Sequence, residues 1–274
     1  MKLATYEAIV RKLAYLNLRN CLDEVRYCFP DVDVVTLRSI ISSEAQRKIK
    51  KTYHILTSPP AADEHYYYFK ACVKAREPPG FLLVYADELR ISPALMARLI
   101  VEKHYEGEEE RPSKQDISQM LRNSAIIEDG PLAAEVFICV VNDNTYGPLC
   151  DAMKNSIGLE YEINLKTQLR RLGLTFVDED VLRERGYDKT PDIKFELPIM
   201  VDGTIVNWIE SKAQFGDPDL HRIYSRDQYQ SYWNRFGRGL VIYWFGFVDE
   251  IVGSRDEGCI IRDCMPRDIV RMED

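Results

Sequence analysis

The side chains best suited to chemistry lie between residues 187 and 212. Tyr187-Asp188-Lys189-Thr190-Pro191-Asp192 opens a strand-like segment, and eighteen residues after Asp192 stands Glu210-Ser211-Lys212. On an extended strand Glu210 and Lys212 project to one side, because side chains alternate with a period of two. Two carboxylates held close repel each other unless a divalent cation lies between them, and hard oxygen donors suit Mg2+ or Mn2+. Such an ion polarises a phosphate ester and makes a bound water more acidic. Lys212, a compact ammonium, would orient that water and steady the charge developing in the transition state. Ser211 would add its backbone carbonyl as a metal ligand. The residue types thus point to metal-assisted phosphodiester hydrolysis.

Asp192 can join Glu210 only if the intervening hairpin has the right register. A two-residue Asp202-Gly203 turn would set Asp192 opposite Ala213, on the wrong face. A three-residue loop, Val201-Asp202-Gly203 with Gly203 left-handed, would set it opposite Lys212 and beside Glu210. The three-residue loop is therefore the expectation. Two more elements must frame the set. A long helix over Leu149–Leu172 carries Glu162, with Leu165 and Leu169 at i+3 and i+7, so the carboxylate rides the edge of a buried face. Gln228 and Tyr232, four apart on a later helix, share a face. Each signal alone is weak. The chain contains three Pro-Asp pairs, and a Glu-x-Lys arises by chance about once in a chain of this length. Glu210 and Lys212 would otherwise be a surface ion pair, and Asp192 a turn residue. Against that, Val206, Trp208 and Ile209 make the strand read as buried, where charged side chains need a reason. Helix-Glu, Pro-Asp, hairpin, Glu-x-Lys and Gln-x-x-x-Tyr, in that order, are far more specific than any member.

The preceding half reads as helices. Phe-Pro-Asp-Val-Asp at residues 29–33 separates a short helix from a longer one that Asp33 caps, and Pro78-Pro79-Gly80 ends a Tyr-rich helix. Leu82–Leu89, a turn at Arg90-Ile91, the cap Ser92 and Pro93 at the first helical position outline a helix-turn-helix. Its second helix offers Arg98, Glu102 and Lys103, a mixed set for a DNA groove, so a structural or protein-binding use is at least as plausible. Glu106–Glu110 reads as an acidic loop. After Gly147-Pro148 the pattern turns to mixed helix and strand. The expected division is residues 1–147, all-α with helix-turn-helix elements, and residues 148–274, an α/β domain with the chemistry.

Hydrophobic residues make up 46% and charged ones 29% of the 274 residues, a globular composition. No apolar run approaches the length of about 20 residues needed to cross a bilayer. Glu7, Arg11 and Lys12 interrupt the apolar start, which reads as an amphipathic helix and suits a protein kept inside the cell. The formal net charge of −8 argues against a general nucleic-acid coat protein, but a carboxylate-rich metal site is acidic by construction. The first 60 residues run against the total, with a net of +4. Arg47-Lys48-Ile49-Lys50-Lys51 is either a phosphate contact or a solvated helix end.

Long stretches of the chain resemble the codanin-interacting nuclease family. These are Leu95–Ile100, Asn142-Asp143 with Tyr146-Gly147-Pro148, Gly186–Asp192, Trp208–Ala213, Ser231–Gly237 and Gly239–Trp244. The resemblance implies a C-terminal restriction-endonuclease-like domain of the PD-(D/E)xK type, akin to archaeal Holliday-junction resolvases, behind a helical N-terminal region. It implies a metal-dependent nuclease acting on DNA, binding to codanin, and presence in nucleus and cytoplasm. The family's active site falls on Asp192, Glu210 and Lys212. Glycines four before and eleven after the helical glutamate, Gly158 and Gly173, select Glu162 over Glu160. Gln228 and Tyr232 resemble a feature of nucleases that act on DNA ends. A nuclease fold retained as a scaffold for codanin, with weak or no catalysis, is the competing expectation.

Overall fold

The computed structural model describes residues 1–107, 111–252 and 258–271. Part of the expected acidic loop, residues 108–110, lies outside the described residues. Among the described residues nine α-helices precede the first strand: α1 (Leu3–Leu13), α2 (Leu22–Cys28), α3 (Val34–Leu56), α4 (Pro59–Ala75), α5 (Phe81–Glu88), α6 (Pro93–His104), α7 (Lys114–Arg122), α8 (Gly130–Val141) and α9 (Pro148–Arg171). The remainder runs β1 (Phe176–Asp178), α10 (Glu179–Glu184), β2 (Ile193–Val201), β3 (Thr204–Lys212), α11 (Pro218–Tyr224), α12 (Gln230–Phe236), β4 (Gly239–Tyr243), β5 (Cys259–Arg262) and β6 (Ile269–Arg271). No helix of the described residues is long and apolar enough to cross a membrane.

Two compact units emerge, and they are not the contiguous halves that the sequence suggested. One contains Met1–Val10, Asp31–Ser39 and Asn155–Asp274; the other contains Arg11–Pro30 and Ile40–Lys154. The N-terminal segments join the mixed unit through specific contacts. Tyr6 stacks on Phe215 at 5.8 Å, Thr36 Oγ1 donates to the Phe245 carbonyl at 2.7 Å, and Ser39 Oγ accepts from Phe215 N at 2.8 Å. The changeover falls inside α9, six residues beyond the Gly-Pro break at which composition shifts.

In the helical unit, local signals are satisfied where the sequence places them. Ser92 Oγ accepts from Leu95 N at 3.1 Å with Pro93 at the first helical position, and Ser113 and Asp116 form a reciprocal capping box. Glu135 of α8, almost fully buried, accepts from Gly80 N at 2.6 Å and Leu82 N at 2.9 Å, capping α5 from outside. The pair α5–α6 is present, but α6 is a core helix. Of Pro93–Val101 only Arg98 is not buried, and it is paired with Glu102 at 2.9 Å. Over Pro93–Val101 the helix offers no exposed face to lay in a nucleic-acid groove.

The mixed unit is organised by a six-stranded sheet in the order β1-β2-β3-β4-β5, with β6 also paired to β2. The β1–β2, β2–β3 and β2–β6 pairs are antiparallel, whereas β3–β4 and β4–β5 are parallel. A parallel neighbour demands a crossover, and the β3–β4 crossover consists of α11, a turn at Ser225–Tyr229 and α12. On one face Leu165 and Leu169 of α9 pack with Ile193, Phe195, Ile209, Leu240 and Ile242. The crossover covers the other face, where Trp208 meets the rings of Tyr229 and Tyr232 at 6.2 and 5.2 Å. Trp208 is fully buried and its ring lies over Gly239; a Cβ there would come within 2.1 Å of the indole. Gly239→Ala is accordingly expected to destabilise the mixed unit by about 1–3 kcal/mol through overpacking, read as a lower midpoint in urea unfolding.

Candidate active site

The hairpin solves the register problem differently from the sequence expectation. Val201 pairs with Thr204, so the connection is the two-residue turn Asp202-Gly203, with φ of 49° and 72° at the two positions. Both are left-handed, the conformation of a type I′ turn. Continued regularly, this register would turn Asp192 away. It is not continued. From Lys194 to Ile199 β2 takes five steps while β3 takes two, from Trp208 to Val206. Three extra residues bulge from β2 around Glu196-Leu197-Pro198, where Pro198 has no N–H to give to a ladder. Beyond the bulge Ile193 faces Ile209, and one residue further Asp192 faces Glu210. The odd shift restores the parity that the expected three-residue loop was meant to supply.

Asp192 Oδ2 accepts from the backbone N of Ser211 at 2.7 Å. Glu210, only 4% exposed, accepts from Lys212 Nζ through Oε1 at 2.6 Å. Its second oxygen, Oε2, is buried with no hydrogen-bond partner among the described residues. Lys212 Nζ also donates to Gln228 Oε1 at 3.1 Å and lies 4.7 Å from the centre of the Tyr224 ring. Burial works against its charge, but Glu210 and then Asp192 outweigh that and raise its pKa, so the ammonium persists at neutral pH. Burial, and next the charge of Glu210, hold the Asp192 carboxyl well above the ordinary carboxylate range; Ser211 N–H and Lys212 offset this in part. Burial and the fields of Glu210 and Asp192 likewise raise the Tyr232 phenol.

Glu162 stands further off. It is half-buried in α9, and burial raises its pKa, opposed by Lys166 and reinforced by Glu179 and Glu210. It shares the site's field, whereas Glu160 is exposed. Among the described residues, no group of three or more His, Cys, Asp and Glu side chains is placed to hold a metal. Glu162 is therefore not already gathered with Asp192 and Glu210 into a three-carboxylate group among the described residues. What remains is a facing pair of carboxylates with one unpartnered oxygen. That donor set fits Mg2+, which binds through one or two carboxylates and keeps waters or substrate phosphate oxygens for the rest. Ser211 Oγ points elsewhere, accepting from Trp244 Nε1 at 2.8 Å, so only its backbone is available to the site.

Of the residues that hold these groups, Gln228 was expected from the sequence, whereas Tyr224 and the clamp at Arg235 were not. Gln228 lies on a π-helical turn, Ser225–Tyr229, between α11 and α12, and such bulges concentrate at functional sites. Tyr224, four residues earlier, supplies the aromatic face under Lys212; that spacing was the available signal. Arg235 of α12 clamps the approach to Pro191-Asp192. Its guanidinium pairs with Asp188 at 2.6 Å and donates to the Lys189 carbonyl at 3.1 Å, while Lys189 Nζ reaches the Asp227 carbonyl at 2.7 Å. His221 is a core residue, buried with Nδ1 2.9 Å from the Tyr243 hydroxyl.

Comparison with known proteins places the chain in a family. Residues 128–265 match the family model described as "Protein of unknown function TPD sequence-motif". That stretch holds the chain's one Thr-Pro-Asp, residues 190–192. The human protein named CDAN1-interacting nuclease 1 is 45% identical, the alignment covering 98% of this chain and 96% of that one. The proteins of the same name from Bos taurus and Gallus gallus are 44% and 41% identical, each with 98% of this chain and 96% of their own covered. The chain belongs to the CDAN1-interacting nuclease 1 family. No solved structure matches it. Glu162, Asp192, Glu210, Ser211, Lys212, Gln228 and Tyr232 all fall within the region that the family model matches.

The like-charge pair generates a stability signature. With no metal added, Asp192→Asn removes a carboxylate that the fold disfavours in its ionised form. The variant is expected to melt about 2–4 °C above the wild type at neutral pH, corresponding to about 1 kcal/mol. Because the folded-state pKa of Asp192 is raised, its stabilising contribution is complete below its unfolded pKa and is lost as pH rises through its folded pKa. The gap between the two proteins should therefore close at low pH and open towards neutrality. Glu210→Gln should do the reverse and lower the melting temperature, since it strips Lys212 of its buried counter-ion.

Proposed function

We propose that this protein is a divalent-metal-dependent nuclease that hydrolyses DNA phosphodiesters and binds codanin, with a PD-(D/E)xK-type centre at Asp192, Glu210 and Lys212. The carrying observation is the pair of facing carboxylates, Asp192 and Glu210, with Glu210 Oε2 enclosed and without a partner among the described residues and the Lys212 ammonium alongside. Bound there, Mg2+ or Mn2+ would supply Lewis-acid polarisation of the scissile phosphate. Asp192, Glu210 and the Ser211 backbone carbonyl would hold the ion. Glu162 would act at longer range, through the water shell and the local field.

Lys212 stays protonated, so its part is electrostatic: it faces negative charge developing on the phosphoryl oxygens and does not abstract a proton. Gln228 fixes the Lys212 ammonium from one side and the Tyr224 ring supports it from another. Tyr232, with its phenol held neutral, would contribute a hydrogen-bond donor and a wall against the substrate strand. Arg235 and Lys189 steady the segment that ends in Asp192. The names of the relatives support the reading as a nuclease and codanin partner; presence in nucleus and cytoplasm is part of the same proposal.

A scaffold reading, in which codanin binding survives with little or no hydrolysis, is favoured by the net charge of −8 and by the enclosure of α6. Labelled single-stranded, duplex, flapped and four-way DNA, together with RNA, separate the two. Incubated with Mg2+ or Mn2+, the wild type should cleave at least one DNA. Glu210→Ala and Lys212→Ala should lose about 10²–10³-fold in kcat/KM while still binding codanin. Equal cleavage by wild type and both variants would mark a contaminant, and no cleavage of any substrate would leave the scaffold. Independently, Mn2+ should raise the melting temperature of the wild type and leave Asp192→Asn unmoved.

A further inference from the structure

The helical unit contains a cavity of about 320 Å³ that the nuclease reading does not use. That volume lies at the lower end of small-molecule sites, about 300–1,000 Å³. Its walls are aliphatic, with Leu18, Ile49, Leu56, Leu89 and Leu95 prominent, and no Asp or Glu lines it. Three cations do. Arg19 is already taken by Asp87, through Nε to Oδ1 at 2.9 Å and a second contact. Lys48 and Arg90 have no carboxylate partner among the described residues; Lys48 Nζ donates only to the Arg90 carbonyl, at 2.9 Å. Burial, then the neighbouring Arg90, lower the Lys48 pKa, the behaviour of a cation short of counter-charge. Arg90 is held at φ 54°, a left-handed conformation uncommon for a side chain of its size.

His65 supplies an independent sign. It lines the same cavity and is 6% exposed. Its Nδ1 sits 3.0 Å from the Tyr85 hydroxyl, while its Nε2 is buried without a partner among the described residues. The other polar groups of the wall are committed: Ser92 Oγ and Thr145 Oγ1 both donate to Asp143, and Thr52 Oγ1 to the Lys48 carbonyl. A buried imidazole nitrogen and two cations, half-buried Lys48 and exposed Arg90, none with a counter-charge among the described residues, thus border an aliphatic hollow in a protein of net charge −8.

We propose that this cavity binds a small amphipathic anion, an aliphatic carboxylate, with its chain among the leucines and isoleucines and its head group between Lys48 and Arg90. Aromatic stacking, which a nucleobase would require, is absent from the walls apart from the His65 ring. The role of Lys48 in the basic stretch after α3 begins is then to meet a carboxylate, not a nucleic-acid phosphate.

Isothermal titration of the full chain with decanoate, decanol and decylammonium, each below its micellar concentration, tests the assignment. Decanoate should bind saturably with one site, and decanol and decylammonium at least about tenfold more weakly, the equivalent of one charge-assisted contact. Lys48→Met keeps the apolar stem and should weaken decanoate about tenfold while leaving decanol unchanged. Ala45→Phe, which fills the hollow from a buried wall position, should abolish both; circular dichroism checks that it folds. Absence of saturable decanoate binding, equal binding of decanol, or an unaltered decanoate affinity in Lys48→Met would overturn the proposal. So would a short Leu-Asp-Leu peptide that binds where decanoate does not, since the cleft would then belong to a protein partner.

Discussion

Two carboxylates meet across neighbouring strands with the Lys212 ammonium beside them. Everything around Asp192 and Glu210 can be understood as the cost and containment of that meeting. The ladder brings them opposite each other, Ser211 N–H restrains one, Lys212 restrains the other, and one oxygen is left over. Removing charge from water without full compensation is expensive, so a fold keeps such a pair only under some other constraint. A divalent cation is the simplest agent that would turn the repulsion into attraction.

The helical unit provides an internal control. Asp143 is just as buried, yet its oxygens receive Ser92 Oγ, Ala94 N at 3.0 Å, Thr145 N at 2.8 Å, Thr145 Oγ1 at 2.6 Å and Tyr146 N at 3.1 Å. Glu135 is likewise saturated by two backbone donors. Those acids are structural: their hydrogen bonds are complete and tie a loop or a helix start in place. Glu210 differs in kind, because its environment withholds a partner from one oxygen. Saturation, more than burial, separates an acid that builds the fold from one that awaits something else.

Legibility in the sequence followed the range of the interaction. Caps at Ser92 and Asp33 were readable because they act over two or three residues, and Val35 N does donate to Asp33 Oδ1 at 2.7 Å. The common side of Glu210 and Lys212 was readable from strand period alone. The pairing of Asp192 with Glu210 was not, because turn length and bulge both alter parity and only their combination is fixed by the fold. Pro198, in mid-strand, was the overlooked sign of the bulge. The interleaving of residues 1–10 and 31–39 with the mixed unit was also hidden, since Tyr6 on Phe215 and Ser39 on the same residue are contacts across most of the chain. The two helices α5 and α6 were readable from their caps and spacing, but burial of α6 could not be inferred from that spacing.

The π-helical turn at Ser225–Tyr229 carries an evolutionary implication. A bulge of this kind amounts to one residue more than a regular helix needs, and each residue of an α-helix accounts for about 100° of rotation. Losing one residue there would leave an unbroken helix with good local hydrogen bonding, yet it would swing the Tyr224 side out of phase with Tyr232. The length of that turn is thus coupled to the orientation of everything that faces Lys212, Gln228 included. Alignment gaps should be scarce at this turn and tolerated in the loops on either side of the crossover.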